Sequence, residues 1–223
     1  MKRLSIQPHL VEQVYETLLD AICAGKLAPG ERLAQEHLAE RLNVSRQPVS
    51  HALLLLKKQG FVTDVGRRGL QVALLDAAQV AAIYQVRGAL DGVAAALAAR
   101  RATCVSAGHG QALVVAGRKA IESGDITRTI TADIEFHRFL YDLSGNPLIA
   151  DTADLHWHHI RRVMGSVLRE GSLEEIWHEH ADILSAVLAG DAERAERLAR
   201  RHTDNASRSF AAHLATVPDR VAS

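Results

Sequence analysis

The sequence predicts a mainly α-helical protein: an N-terminal winged helix-turn-helix followed by an antiparallel all-helical bundle. Three observations carry that prediction. Residues 1–75 hold three short segments of helical periodicity and then an alternating stretch broken at Gly66–Gly69. From Asp76 onward the apolar pattern stays helical, punctuated by turn signals and without strand-like alternation. Alanine and leucine dominate, and only five prolines interrupt 223 residues. A chain of this length forms one large domain or two small ones, and the change of pattern places a boundary between residues 75 and 76.

The first helix is read from Leu10, Val14, Leu18 and Ile22, which recur at helical spacing over residues 8 to about 24. Gly25 and Pro29-Gly30 mark the turn that follows. QEHLAERLN gives a second, short helix with Leu38, Ala39 and Leu42 on its apolar face. Ser45 is a suitable N-cap for a third helix running to about Gln59, with Pro48 in its first turn, where a missing N–H costs little. FVTDVGRRGLQVALL then reads as a two-stranded hairpin.

Net charge is zero, but it is unevenly spread. Residues 1–75 carry ten Lys/Arg against seven Asp/Glu, and the rest carries sixteen against nineteen. Between Arg41 and Arg68 six basic residues face only Asp64, so one face of the first domain suits a polyanion. The third helix presents Arg46, Gln47 and Ser50 from its N-terminal turn, where side chains reach base edges in a major groove. Arg67 and Arg68 at the hairpin tip are placed for a phosphate backbone or minor groove. No apolar run approaching a membrane span and no signal-peptide core is read, which predicts a cytoplasmic protein with no membrane partner. Cys23 and Cys104 make no CxxC pair and are expected to pack as small apolar side chains.

In the second domain, Asp76 caps a long helix through about Ala102, with Val80, Ile83, Val86, Leu90 and Leu97 as its apolar positions. Helices near 105–123, 126–143, 148–169, 173–189 and 192–213 follow, divided by Ser123-Gly124-Asp125, Gly145-Asn146-Pro147, Gly171-Ser172 and Gly190-Asp191. Twelve histidines are many for this length. Asp133 and His137 are four apart and share a helix face. His180 and His202 lie about ten residues either side of the Gly190-Asp191 turn, so an antiparallel hairpin sets them roughly 15 Å from the turn at one level. One Asp and three His facing an interior suit zinc or another borderline divalent ion. His156, His158, His159 and His178 are read as a solvated polar face.

The run LAPGERLAQEHLAERLNVSRQPVSHALLLLKKQGFV, with GRRGLQV after it, resembles the N-terminal domain of the GntR family of bacterial regulators over about residues 8–74. The resemblance implies DNA contacts by Arg32 and Arg46 and a close groove approach at Gly69. It departs from the family at Val49-Ser50-His51-Ala52-Leu53, where V-R-E-A-L is usual and Ser50 replaces an arginine. YQVRGALDGVAAALAA, ADIEFHRFLYDLSGNPLI and EHADILSAVLAGDAERAERLARRH resemble the FCD effector domain of the FadR-like subfamily. That likeness puts Asp133, His137, His180 and His202 at the four metal-ligand positions of its metal-binding branch, and turns Arg87 toward the effector pocket.

The function these readings imply is a homodimeric transcription regulator, expected to be a repressor. It would meet a near-palindromic double-stranded DNA operator through residues 1–75, and be controlled by a small carboxylate bound at a metal in residues 76–223. Zinc is the expected ion, with nickel or manganese as alternatives. Rival readings are a regulator for which the ion itself is the signal and a metal-dependent hydrolase.

Overall fold

The computed structural model describes residues 8–67, 69–167 and 173–216. The chain divides between Leu75 and Asp76 into two compact units. In the first, α1 (Pro8–Cys23), α2 (Gln35–Leu42) and α3 (Arg46–Lys58) precede β1 (Val62–Val65) and β2 (Gly69–Val72). The second holds α4 (Ala77–Ala99), α5 (Cys104–Glu122), α6 (Ile126–Ser144), α7 (Pro147–Val167), α8 (Leu173–Leu188) and α9 (Ala192–Thr216).

The first unit is a winged helix-turn-helix. Val14, Leu18 and Ile22 of α1 pack with Leu38 and Ala39 of α2, with Val49, Ala52, Leu53 and Leu56 of α3, and with Phe61, Val62 and Val72. Each fully buried aliphatic side chain of this kind contributes about 1.5–3 kcal/mol, so this apolar face defines the unit. Asn43 ends α2 in the left-handed region, φ 51°, and its amide donates to the Ala39 and Glu40 carbonyls. The hairpin pairs Val62 with Val72 and Val65 with Gly69. Residues 31–33 add a short third rung: Leu33 N–H donates to Leu70 O at 2.8 Å and Val72 N–H to Glu31 O at 2.9 Å. Lys57 ties the wing to the end of α3 through Asp64 at 2.7 Å.

The second unit is an all-helical bundle. Its central pair, α4 and α9, approaches closely because small residues line α4: a Cβ on Gly92 would stand 2.8 Å from the Arg200 side chain. Asp76 and Asp125 cap α4 and α6 by accepting from backbone amides, and Thr103 and Ser106 form a capping box on α5. Gly190, at φ 72°, makes the tight turn that sets α8 antiparallel beside α9.

Three sequence expectations need correction. The buried stripe of α4 is Val80, Tyr84, Arg87, Gly88 and Asp91, continued by small residues, whereas Val86 is 45% exposed. The apolar pattern catches Val80 but misses the rest, because charged Arg87 and Asp91 and the small residues after them carry no strong apolar signal. Cys104 is exposed at the start of α5; only Cys23 is buried. Finally, α4 is long and apolar enough to cross a membrane by length and composition, with a mean hydropathy of 1.2 and half of that window buried. Its buried Arg87 and Asp91 and its packing on α6, α7 and α9 are those of a bundle core helix.

Candidate metal centre and nucleic-acid interface

Three helices converge on one buried polar cluster. α6 supplies Asp133 and His137 one turn apart, α8 supplies His180, and α9 supplies His202. One ligand atom from each lies within 4.8 Å of all the others, and all four residues are buried. His180 Nε2 stands 3.2 Å from His202 Nε2 and 3.4 Å from Asp133 Oδ1, and His137 Nε2 is 3.9 Å from the same oxygen. The rings are held in place from behind. His180 stacks on Phe136, with ring centroids 4.3 Å apart, and meets Trp177 edge-on. A Cβ on Gly117 would stand 2.0 Å from the Trp177 ring, so glycine there makes room for the tryptophan that backs His180.

Ring orientation and protonation follow from the neighbours. His202 Nδ1 lies 2.7 Å from Glu179 Oε2. A carboxylate accepts only, so Nδ1 carries the proton and Nε2 turns its lone pair to the cluster. Asn205 donates to the other Glu179 oxygen at 2.5 Å. Burial pushes the Glu179 carboxyl up, but the hydrogen bonds from His202 and Asn205 outweigh it and hold the group below the usual range. His137 Nδ1 faces Asp91 Oδ2 at 3.5 Å, ion-pair distance without a formed hydrogen bond. Burial, reinforced by the Arg87 charge, holds His137 well below the usual histidine range; burial, then His202 and Arg87, does the same for His180. Both rings are therefore neutral, the form that binds metal. Burial pushes Asp133 up, opposed by Arg87 and His202.

Arg87 is buried beside the cluster. Its Nε lies 3.3 Å from Asp91 Oδ2, its Nη2 is 3.8 Å from Asp133 Oδ2, and its guanidinium carbon sits 5.0 Å over the Trp157 ring. Asp91 also accepts from Thr203 at 3.2 Å and from the Tyr141 hydroxyl. Between Arg87, Tyr141, Trp157, Leu90, Ala153 and Ile160 lies a cavity of about 10 Å³, about the volume one water needs.

The donor set fits a divalent ion on one further observation. His137 Nδ1 and Nε2, His180 Nδ1, Asp133 Oδ2 and Arg87 Nη2 are buried without hydrogen-bond partners. Each such group costs about 1–3 kcal/mol when left unsatisfied, and an ion taking one atom from each residue would relieve His137 and Asp133, while His180 already turns Nε2 to the cluster. His156, His158, His159 and His178 stay outside the cluster.

The winged unit carries its candidate residues on the surface. Arg46 opens α3, is exposed, and pairs with Glu36 of α2 at 2.8 Å. Gln47 beside it is exposed, and Ser50 one turn on is half-buried. Ser45 occupies the N-cap position but makes no side-chain cap bond, so the first amides of α3 stay available to an anion. Arg67 is exposed at the wing tip and Arg32 is exposed beside β2; Arg68 lies outside the described residues. Gly69 has a structural reason of its own, because a Cβ there would meet Val65 O at 2.6 Å and sit 3.4 Å from the Arg32 guanidinium.

Comparison with known proteins decides what these two units are. The profile for bacterial regulatory proteins of the gntR family matches residues 10–72, and that for the FCD domain matches residues 82–205. A Streptomyces ambofaciens protein described as an uncharacterized HTH-type transcriptional regulator in unstable DNA locus is 31% identical over 220 residues, covering 93% of this chain and 92% of its own. The chain belongs to the GntR family, in the FCD branch. The HTH-type transcriptional repressor RspR of Escherichia coli K12 is 29% identical over 199 residues, 89% of this chain and 87% of that one. Escherichia coli McbR/YncC shares the fold, with a TM-score of 0.76 at 23% identity over 93% of this chain and all of that one. As a GntR-family FCD protein the chain is a DNA-binding transcription regulator and not an enzyme, which removes the hydrolase alternative.

Within this GntR-family chain, sequence reasoning named the four converging residues and Arg87 but missed Asp91, Glu179, Tyr141 and Trp157. Asp91 stands four after Arg87, a helical ion-pair spacing that was a usable signal. Glu179 precedes His180 yet serves His202 across the hairpin, which no local pattern reveals.

Proposed function

We propose that the chain is a cytoplasmic, homodimeric repressor whose operator binding is controlled by a small carboxylate, held at a divalent ion in the FCD unit. The observation that carries this reading is the buried Asp133–His137–His180–His202 cluster, whose ligand atoms lie within 4.8 Å of one another. Two neutral imidazoles, a third oriented by Glu179, and one carboxylate suit zinc, with nickel or manganese as alternatives. When bound, the ion supplies a Lewis-acidic attachment point for a carboxylate oxygen. Arg87, whose Nη2 makes no hydrogen bond, is the charge-assisted partner for that carboxylate.

Residues Arg32, Arg46, Gln47, Ser50, Arg67, Arg68 and Gly69 form the proposed DNA surface. Two-fold symmetry matches two α3 helices to the half-sites of a near-palindrome. Repression is the sign adopted because RspR, a relative over most of the chain, is described as a repressor. The carboxylate controls DNA binding only by favouring one arrangement of the dimer over another.

A second reading, in which the ion alone is the signal, draws support from the cavity beside Arg87, whose volume of about 10 Å³ suits a water rather than a carboxylate. One experiment separates the two. Purified protein of known metal content is melted with a panel of small carboxylic acids, beside Asp133→Ala and His180→Ala. An acid that stabilises wild type but neither variant, and releases operator DNA, supports the first reading. Release driven by metal alone, with no acid having any effect, supports the second.

A further inference from the structure

Helix α3 has two contrasting faces. Val49, Ala52, Leu53 and Leu56 point inward and are completely buried. Residues 47, 50, 51, 54 and 58 recur at three- and four-residue spacing and so share the opposite face. Gln47, His51, Leu54 and Lys58 are exposed there, and Ser50 is half-buried. Leu54 sits in the middle of that polar row and is 57% exposed. Over half of this side chain thus stays in water, where it adds little to the fold. No arginine or lysine stands on the face before Lys58. Arg46 lies about 100° round the helix from Gln47 and is paired with Glu36.

We propose that Leu54 reads the C5-methyl group of thymine in the major groove, and that with Gln47 it specifies an A·T-leaning half-site. The inference rests on α3 being the groove-entering helix of the reading above. Among the four base-pair edges in the major groove, the thymine methyl is the apolar feature, and a desolvated aliphatic side chain is its natural partner. Glutamine pairs bidentately with adenine, serine tolerates either base, and arginine and lysine select guanine. This face offers glutamine, serine, histidine and leucine. Its chemistry therefore favours adenine and thymine at the centre of each half-site, with the methyl contact two turns into the helix.

The test uses the full-length protein. Bound sequences are selected from random duplex DNA, and each thymine of the best site is then replaced by deoxyuridine, which removes the methyl and keeps every hydrogen-bonding atom. Burying one methyl corresponds to about a fourfold change in Kd. The expected result is one thymine per half-site whose replacement weakens wild type about fourfold, with Leu54→Ala insensitive to that same replacement. Gln47→Ala keeps the thymine-to-uracil sensitivity while losing overall affinity. Because Leu54 is exposed, Leu54→Ala melts like wild type, so a binding loss is not a folding loss. Wild type indifferent to every replacement, or Leu54→Ala that keeps the full methyl sensitivity, overturns the proposal alone. Failure to select any sequence overturns the α3 reading together with it.

Discussion

The two units of this chain invert the usual roles of core and surface. Among the described residues, the winged unit buries no charged side chain, and its candidate functional groups lie outside. The helical unit buries Arg87, Asp91, Asp133, His137, Arg162, His180 and His202, and its candidate site is its core. Apolar burial can be near-neutral to rearrangement of what lies on the surface. A buried charge network cannot, because each member depends on the others for compensation. Surface changes in the first unit should therefore alter DNA binding with little change in stability, while site changes in the second should alter stability and ligand response together.

The largest effect should come from Asp91→Ala. It strands the buried Arg87 guanidinium and frees the Tyr141 hydroxyl and the Thr203 hydroxyl at once. Removing one partner of a buried pair costs about 3–5 kcal/mol, so urea unfolding followed on α4 and α9 should shift strongly. A shift below about 1 kcal/mol would break the contrast between the units. Leu53→Ala is the counterpart in the first unit, where a fully buried leucine is lost. About 2–5 kcal/mol is expected, visible as faster hydrogen exchange in α1 and α3 with bound metal retained.

The legibility of the sequence divides along the same line. Helices with bulky stripes, such as α1 and α3, were found to within a residue or so from periodicity. Helix α4 ends at Ala99, short of the expected Ala102, and the Thr103–Ser106 capping box opens α5 just after it. Beyond Val80 its buried face was missed, because charged Arg87 and Asp91 and the alanines and glycines after them carry no apolar pattern. At the site, Asp133 and His137 were visible as a helical pair and His180 and His202 as mirror positions about one turn. Asp91 was signalled only by its spacing of four from Arg87, while its bond to Tyr141, fifty residues away, comes from tertiary packing.

Two smaller effects sharpen the comparison. Glu179→Gln keeps the hydrogen-bonding shape beside His202 but removes the charge that orients its ring. Metal affinity, measured by competition with a coloured chelator, should fall about 10–100-fold while operator affinity of the metal-loaded protein stays within twofold or so. Glu36→Gln removes the exposed partner of Arg46. Stability should change by less than about 0.5 kcal/mol, and DNA affinity should hold or rise as Arg46 is freed for phosphate.

Metal content of the purified full-length chain, measured by elemental analysis after exhaustive dialysis and beside His180→Ala, tests the account most directly. The account predicts about one divalent ion per chain in wild type, none in the variant, and a lower melting temperature for the helical unit when the ion is removed. A wild type free of divalent metal that melts unchanged when zinc, nickel or manganese is added would contradict it.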